Sequence, residues 1–179
     1  ELESHGFYFT YPEQLDVKSK AWLRHYFEEH IYPVVTPLAV DSGHPFPFLT
    51  NHTINAIIRI FQVLPDGTKD YKIAILPIPS VLNRIIEIPS RSNKEHRFVY
   101  LEDVITYYAT QFFQGYGIEE SMIFRLTRDA DLEIDEEDAK DLLTEVEASL
   151  RRRRRGDAVR LEVVGAGSPE LLRTVLASV

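Results

Sequence analysis

The chain has 179 residues, of which 44% are apolar, and this length and composition predict one domain with its own hydrophobic core. It contains no cysteine, which excludes disulfide bonds, thiolate metal ligands and a cysteine nucleophile and is typical of a reducing compartment, so we predict a cytoplasmic protein. A formal net charge of -8 argues against a general nucleic-acid binder, and no apolar run approaches the roughly 20 residues that cross a bilayer.

The first half of the chain predicts a helix, a proline-rich loop and a β-hairpin. Asp16 is a suitable N-cap for a helix from Val17 to His30, along which apolar residues recur every three or four positions. Four prolines between Tyr32 and Leu49 each remove a backbone donor and fix φ, so we expect an extended, ordered loop there. Two isoleucine-rich runs, Asn55–Val63 and Tyr71–Leu76, flank a Pro-Asp-Gly turn signal and predict a hairpin.

The middle of the chain predicts two helices and two strands. We expect a short helix from Ser80 to Ile86 and, after a polar loop, a strand at Phe98–Tyr100. Apolar residues at helical spacing predict an amphipathic helix over Leu101–Phe113, which ends at the glycines that follow it. Another strand is predicted over Ser121–Thr127.

The last third of the chain predicts a helix, a strand and the start of a further helix. Asp135 is the predicted N-cap of a helix that ends at Arg155, with Gly156 in the left-handed position that often terminates helices. Alternating apolar and charged residues predict a strand over Ala158–Val164. The run Ser168-Pro169-Glu170 is a helix-start signal.

The order of these elements indicates the fold class. Interleaved strands and helices predict an α+β fold, in which flanking helices cover a mixed β-sheet. The chain lacks an initiator methionine and stops soon after a helix-start signal. We therefore expect residues 1–179 to be a single domain of a longer protein, truncated at both ends.

Arg128 breaks the alternation of its strand. Even-numbered positions from Met122 to Ile134 are apolar apart from Arg128, and the odd-numbered positions, except Ile123, are polar or charged. One interpretation is a bulge that resets the alternation, and the other is a partly buried Arg128 paired with a carboxylate or with an anion of a partner. In both, Arg128 is a candidate structural or interface residue.

Four carboxylates follow this arginine at alternate positions: Asp129, Asp131, Glu133 and Asp135. In an extended chain they share one side and can bind Mg²⁺, which prefers oxygen ligands. The same residues stabilise the positive end of the helix that follows without any metal, and we favour this interpretation. Asp129 and Asp131 are accordingly candidate structural or interface residues, and no metal ligand is predicted.

Five consecutive arginines, Arg151–Arg155, concentrate positive charge in an acidic chain. The helical period places Arg151, Arg152 and Arg155 away from the buried stripe of the helix. Because arginine binds phosphate oxygens in a bidentate manner, these three are candidate phosphate-binding residues. The alternative is a helix end whose arginines are favoured by its negative dipole and whose stems cover apolar neighbours.

His44 lies in the most restricted setting of the six histidines, between Gly43 and Pro45. It can in principle accept a phosphoryl group, although a loop histidine that hydrogen-bonds its own backbone is the commoner case. The sequence has no glycine-rich phosphate loop, no G-x-S-x-G turn and no protein-kinase signature. None of these catalytic motifs is therefore present.

Four blocks of the sequence, in the same order, resemble the middle, or head, domain of the class 1 polyphosphate kinases. They are Val35–Leu49, which contains His44-Pro45-Phe46-Pro47-Phe48-Leu49, together with Leu101–Asp103, Phe124–Glu133 and Arg151–Glu162. Members of that family reversibly transfer the terminal phosphate of ATP to polyphosphate through a phosphohistidine, with Mg²⁺.

The resemblance implies that catalysis belongs to other parts of a longer enzyme. The family's phosphorylated histidine and Mg²⁺ site lie in C-terminal domains, and part of its ATP pocket lies in an N-terminal domain. ATP and Mg²⁺ are thus expected cofactors of the parent enzyme, and no cofactor is expected in this chain. Other domains of the same chain and a second copy of the enzyme are the expected partners.

The family's head domain contributes dimer contacts, and its assembled enzyme threads polyphosphate through a tunnel. Phe46 and Phe48 are therefore candidate interface residues, since exposed aromatic side chains mark interfaces, and His44 joins them as a structural or interface candidate. The three outward arginines become candidate polyphosphate-binding residues. The expected function is a non-catalytic module that contributes dimer contacts and a basic surface facing polyphosphate.

Two other functions stay open from the sequence. A self-sufficient phosphotransfer or phosphohistidine-processing domain would use His44 and the arginines. A pure structural scaffold would bind no ligand. Labelled ATP distinguishes the enzyme from the other two, and titration with polyphosphate distinguishes those two from each other.

Overall fold

Two β-sheets form the framework of the part of the chain that the structure describes. The computed structural model describes residues 2–41, 43–90, 95–129, 156–165 and 168–179. The predicted α+β class is confirmed. A mixed sheet is present, as expected, but it is the smaller of the two.

The larger sheet is antiparallel and has five strands: β2 Leu38–Val40, β3 Ile54–Val63, β4 Lys69–Pro77, β7 Gly117–Arg128 and β8 Ala158–Val163. Their order across the sheet is β2-β4-β3-β7-β8. The predicted hairpin is confirmed as β3–β4, with Val63 paired to Lys69 beside the turn. The proline-rich stretch Tyr32–Leu49 is mainly loop, as predicted, but it also supplies β2, which the sequence did not indicate.

The smaller sheet has three strands: β1 Phe7–Phe9, β5 Ile85–Ile88 and β6 His96–Tyr100. Central β6 pairs in parallel with β1 and antiparallel with β5. The strand predicted at Phe98–Tyr100 is confirmed, whereas the helix predicted over Ser80–Ile86 is wrong. Positions along β5 alternate between exposed and buried, with Ile85 and Glu87 exposed and Ile86 and Ile88 buried, which suits a strand with one buried face.

Helix α1, Val17–Tyr26, begins where the sequence predicts. The carboxylate of its N-cap, Asp16, accepts hydrogen bonds from the backbone N–H groups of Lys18 and Ser19 at 2.9 and 3.0 Å. Beyond Tyr26 the helix continues as a π-helical turn over Phe27–Ile31.

Helix α2, Leu101–Tyr107, is shorter than the predicted Leu101–Phe113, because a 3₁₀ turn follows at Ala109–Gln111. Helix α3, Pro169–Leu176, starts at the predicted signal, and the Ser168 hydroxyl accepts a hydrogen bond from the Leu171 N–H at 3.3 Å. The predicted helix from Asp135 to Arg155 lies outside the described residues. None of the helices in the described ranges is long and apolar enough to cross a bilayer.

The larger sheet separates two hydrophobic cores. Ile58 of β3 faces the first core, which contains Leu23 of α1 and Val104 of α2. Ile57, its neighbour on β3, faces the second core, which contains Leu171 of α3. Burial on both faces explains why β3 is a nearly continuous apolar run rather than an alternating one.

Candidate interface site around Arg128

The bulge near Arg128 lies in the strand opposite to it. Thr127 of β7 pairs with Arg160 and Arg128 pairs with Ala158, so Val159 is the extra residue and belongs to β8. Arg128 therefore keeps its position on the apolar side, and its guanidinium reaches the loop beside the second core. Val159, an apolar position of the alternation that predicted this strand, is 62% exposed, because the bulge turns it out of that alternation.

Arg128 fastens the segment from Leu49 to Asn51 to the end of β7. Its Nε donates to the Leu49 carbonyl at 3.1 Å, and its Nη1 donates to the Gly156 carbonyl at 2.9 Å. The backbone N–H of Arg128 also donates to Asn51 Oδ1 at 2.9 Å. One side chain thus joins three stretches that are distant in the sequence, and charged donors make these hydrogen bonds stronger than neutral ones.

The same guanidinium supports an exposed aromatic ring. Arg128 Cζ lies 4.4 Å from the centroid of the Phe48 ring, which is a cation–π contact, and Phe48 is 52% exposed. The neighbours of Phe48 are turned inward, since Leu49 is buried and Phe46 packs against the second core. Of the two aromatic residues proposed from the sequence, Phe48 is therefore the one that the loop leaves exposed.

His44 belongs to a turn at the start of this loop. Its Nδ1 lies 3.1 Å from Asp41 Oδ1, and the N–H groups of Gly43 and His44 both donate to the same oxygen at 2.8 Å. These bonds, first that from Gly43 and then those from His44, lower the pKa of the Asp41 carboxyl. The His44 side chain is exposed, and its hydrogen bonds order the turn.

Asp129 follows the last residue of β7 and lies beside Asp157, from which the chain enters β8. Its backbone N–H donates to the Asp157 carbonyl at 2.9 Å. Gly156 packs so closely against the Asp129 carbonyl that no side chain would fit there. The two ends of the segment 130–155 are therefore adjacent. Asp131 and the candidate arginines Arg151, Arg152 and Arg155 lie within that segment, outside the described residues.

Comparison with known proteins identifies the family to which this domain belongs. A family model described as the polyphosphate kinase middle domain matches residues 18–179. The chain belongs to the polyphosphate kinase middle-domain family. This confirms the resemblance noted from the sequence.

Full-length relatives show how much of a polyphosphate kinase this domain represents. The chain is 41% identical over 176 residues to polyphosphate kinase of Halalkalibacterium halodurans, and 41% identical over 164 residues to that of Pseudomonas syringae pv. tomato. These matches cover 98% and 91% of the chain but only 24% and 22% of the relatives. The chain thus spans about a quarter of the length of the relatives it matches.

A solved structure agrees with the fold. The crystal structure of polyphosphate kinase from Porphyromonas gingivalis superposes with a TM-score of 0.74 at 25% identity. The superposition covers 99% of this chain and 24% of that one. Both sheets of the middle domain described above therefore belong to an architecture already seen within a longer kinase.

A second polar cluster of this polyphosphate kinase domain was not predicted. Arg84 Nε donates to Glu102 Oε1 at 2.9 Å, and Arg125 Nε donates to Glu162 Oε2 at 2.8 Å. The two ion pairs line a cavity of about 180 Å³. The Glu102 side chain is only 5% exposed, so its pairing with Arg84 compensates the cost of burying a carboxylate. One pair joins the segment before β5 to the start of α2, and the other joins β7 to β8.

The only sequence signal for this cluster is Glu102 itself, a charged residue in the buried first turn of α2. Arg84 is distant in the sequence and has no pattern that marks it.

Burial, and next the neighbouring charge of Glu102, raise the pKa of Asp103 from 3.8 to about 6. Within the described ranges, no group of three or more histidine and acidic side chains is arranged to hold a metal ion.

Proposed function

We propose that this chain is the non-catalytic middle domain of a longer polyphosphate kinase and that it contributes contacts between two copies of that enzyme. The parent enzyme would use ATP and Mg²⁺ to build polyphosphate through a phosphohistidine, with the reacting groups in its other domains. Family membership and the one-quarter coverage of the relatives support the first part of this proposal. The absence of cysteine supports a cytoplasmic location for the enzyme.

The observation that carries the proposed contact is the Phe48 ring on its Arg128 support. A half-exposed aromatic ring that is already fixed loses little conformational entropy when a partner covers it. Aromatic residues of this kind contribute a large share of the binding energy at interfaces. The loop that carries Phe48 is held by hydrogen bonds at Leu49 and Asn51, so the ring is presented in one place.

The dimer contact can be tested with Phe48→Ser, using Tyr71→Ser as a matched control. Tyr71 is an aromatic residue of similar exposure, at 40%, on a different part of the larger sheet. Analytical ultracentrifugation of the full-length kinase should show a dimerisation constant weakened about tenfold or more by Phe48→Ser and unchanged by Tyr71→Ser. Equal dimerisation constants for all three proteins would reject Phe48 as a contact.

We also propose that Arg151, Arg152 and Arg155 form a basic surface that faces polyphosphate. Replacing the three with Gln should weaken polyphosphate binding and make its salt dependence shallower, because fewer counterions are released. Arg24, Arg97 and Arg173 are exposed arginines elsewhere, and their replacement with Gln changes the net charge equally. If both triple variants have the parent's salt slope, the three arginines do not contact phosphate, and the helix-dipole explanation is the better one.

The non-catalytic part of the proposal is tested by incubating the chain with ATP labelled on its terminal phosphate and Mg²⁺. We expect neither polyphosphate nor labelled protein. An acid-labile phosphate on His44 would instead favour the self-sufficient phosphotransfer domain. A kinase polypeptide that contains all the domains should become labelled outside this chain.

A further inference from the structure

One face of the smaller sheet is buried against the first core, and no described element covers the opposite face. Val99 of β6 and Ile86 and Ile88 of β5 point into the first core. The opposite face carries a group of side chains that we call the aromatic face, which consists of Phe7, Phe9, Ile85, His96, Phe98 and Tyr100. Phe7, Phe9 and Ile85 are 37%, 42% and 49% exposed. A contiguous apolar group of this kind on a sheet marks an interaction surface.

The rings of the aromatic face are ordered before any partner arrives. Phe98 lies at the centre, with its centroid 6.1 Å from that of Phe7 and 5.5 Å from that of Phe9. Phe9 also stacks on Tyr100 at 5.0 Å, and Phe7 stacks on His96 at 5.2 Å. Neighbouring strands thus hold the rings against one another, and covering them would cost little side-chain entropy.

Polar and charged groups lie at two margins of this apolar centre. At one margin His96 Nδ1 lies 2.7 Å from Glu87 Oε1. At another, Arg84 Cζ lies 5.3 Å from the centroid of the Tyr100 ring. An apolar centre with polar groups at the rim is the usual anatomy of a protein interface.

The position of β1 indicates which partner covers the aromatic face. The family model of the middle domain starts at residue 18, so Phe7 and Phe9 lie in the stretch before it. That stretch nevertheless forms β1, which pairs residue by residue with β6 of the middle domain. Leu2 and Tyr11, on either side of β1, are also more than half exposed. The aromatic face therefore lies at the boundary between the middle domain and whatever precedes it in a longer kinase.

We propose that the aromatic face is the docking surface for the polypeptide that precedes the middle domain in the same kinase chain. This inference rests on the proposed function, because it requires the chain to be part of a longer enzyme. A segment tethered at β1 has a high effective concentration at the face, which favours it over a free partner. The complementary surface would be apolar at its centre, with polar groups opposite His96, Glu87 and Arg84.

Hydroxyl-radical footprinting of the full-length kinase tests the assignment without any substitution. The modification rates of the Phe7, Phe9 and Phe98 rings should be as low as that of Phe27, which is fully buried here. Tyr71, half exposed on the larger sheet, is the accessible reference. Rates for Phe7 and Phe9 that match Tyr71 would show that the face is bare in the whole enzyme and would overturn the proposal.

Dilution separates a contact within one chain from a contact between two. Protection of Phe7 and Phe9 that persists below the dimer dissociation concentration supports docking within the chain. Protection that disappears with the dimer would assign the face to a second copy and overturn the proposal. Neither the modification rates nor their dependence on dilution requires catalysis. If the full-length protein makes no polyphosphate but its Phe7 and Phe9 rings are protected, the proposed function is rejected and this inference stands.

A double substitution, Phe7→Ser with Phe9→Ser, gives the complementary result. In the full-length kinase it should raise the modification rates of Phe98 and Tyr100 and accelerate proteolysis in the stretch before β1. Tyr71→Ser is the control, since it removes a ring of similar exposure, 40%, on the larger sheet. Unchanged rates and proteolysis in the double variant would contradict docking through these rings.

Discussion

Arg128 and Phe48 form a cation–π pair in which the charged member is fixed and the aromatic member is exposed. Arg128 Cζ lies 4.4 Å from the Phe48 centroid, and Nε and Nη1 of the same guanidinium donate to the carbonyls of Leu49 and Gly156. Stability and the presentation of Phe48 therefore depend on one side chain.

Arg128→Ala should destabilise the domain by about 1–3 kcal/mol, because two carbonyls lose a charged donor and the Phe48 ring loses its support. Arg128→Lys should be intermediate, since lysine keeps the charge but not the planar fork that reaches two acceptors. Urea denaturation followed by circular dichroism measures both.

The control for Arg128 is Arg160→Ala, one position along the bulge in β8. Arg160 is 68% exposed and pairs at 3.0 Å with Glu162, so its loss should change the free energy of unfolding by well under about 1 kcal/mol. Equal losses for Arg128 and Arg160 would contradict the special position of Arg128.

Asp103→Asn should make stability less dependent on pH. The pKa of Asp103 is about 6 in the folded chain against 3.8 ordinarily, so the folded state holds a proton that the unfolded state has lost between these values. Stability that depends on this group is therefore highest below pH 3.8, falls as the pH rises towards 6, and stays low above it.

At pH 8 the asparagine variant should accordingly be more stable than the parent, by on the order of 1 kcal/mol once solvent screening of this half-buried group is allowed for. Near pH 4 the two proteins should unfold at the same denaturant concentration. A constant difference across this range would mean that Asp103 is ionised normally in the fold.

Gly117→Ala should destabilise the domain through Phe61. A Cβ at residue 117 would overlap the Phe61 ring, which pairs with Gly117 across β3 and β7. Forcing the ring aside should cost about 1–3 kcal/mol and break its contact with Lys69, whose Nζ lies 4.0 Å from the ring centroid. In a Phe61→Leu background, which removes the clashing ring atoms, the same change should cost much less.

Residues 130–155 should be replaceable by a short Asn-Gly turn without loss of the fold, because the N–H of Asp129 and the carbonyl of Asp157 already meet. The shortened chain should unfold cooperatively and should lose polyphosphate affinity together with its five arginines. A Gly-Ser segment of equal length is the control that separates loss of the arginines from shortening of the connection. Retained affinity in both variants would place polyphosphate binding elsewhere.

Sequence patterns located the elements with strong local signals. The Asp16 cap, the β3–β4 hairpin and the Ser168 helix start are each encoded by neighbouring residues, and all three are confirmed. Periodicity failed at Ile85, where a short apolar run fits a helix or a strand and pairing with β6 decides between them. It also failed at Val159, because a bulge depends on the register of two strands.

Features of the site that depend on distant contacts were outside the reach of local patterns. The alternation of β7 marked Arg128 as unusual, but it could not identify Leu49, Asn51 and Gly156 as its partners. The pairing of Arg84 with Glu102 was likewise invisible, since nothing in the sequence brings those residues together before β5 and α2 are packed.

Strand β3 belongs to both hydrophobic cores, and this has a consequence for how the domain comes apart. Ile57 and Ile58 are adjacent in the chain and fully buried on opposite sides of the sheet. Loss of β3 would therefore remove packing from α1, α2 and α3 simultaneously, so neither half can open far while the other stays closed. The amides of β3 should exchange with solvent only when the whole domain unfolds, which makes their exchange rate a direct measure of global stability.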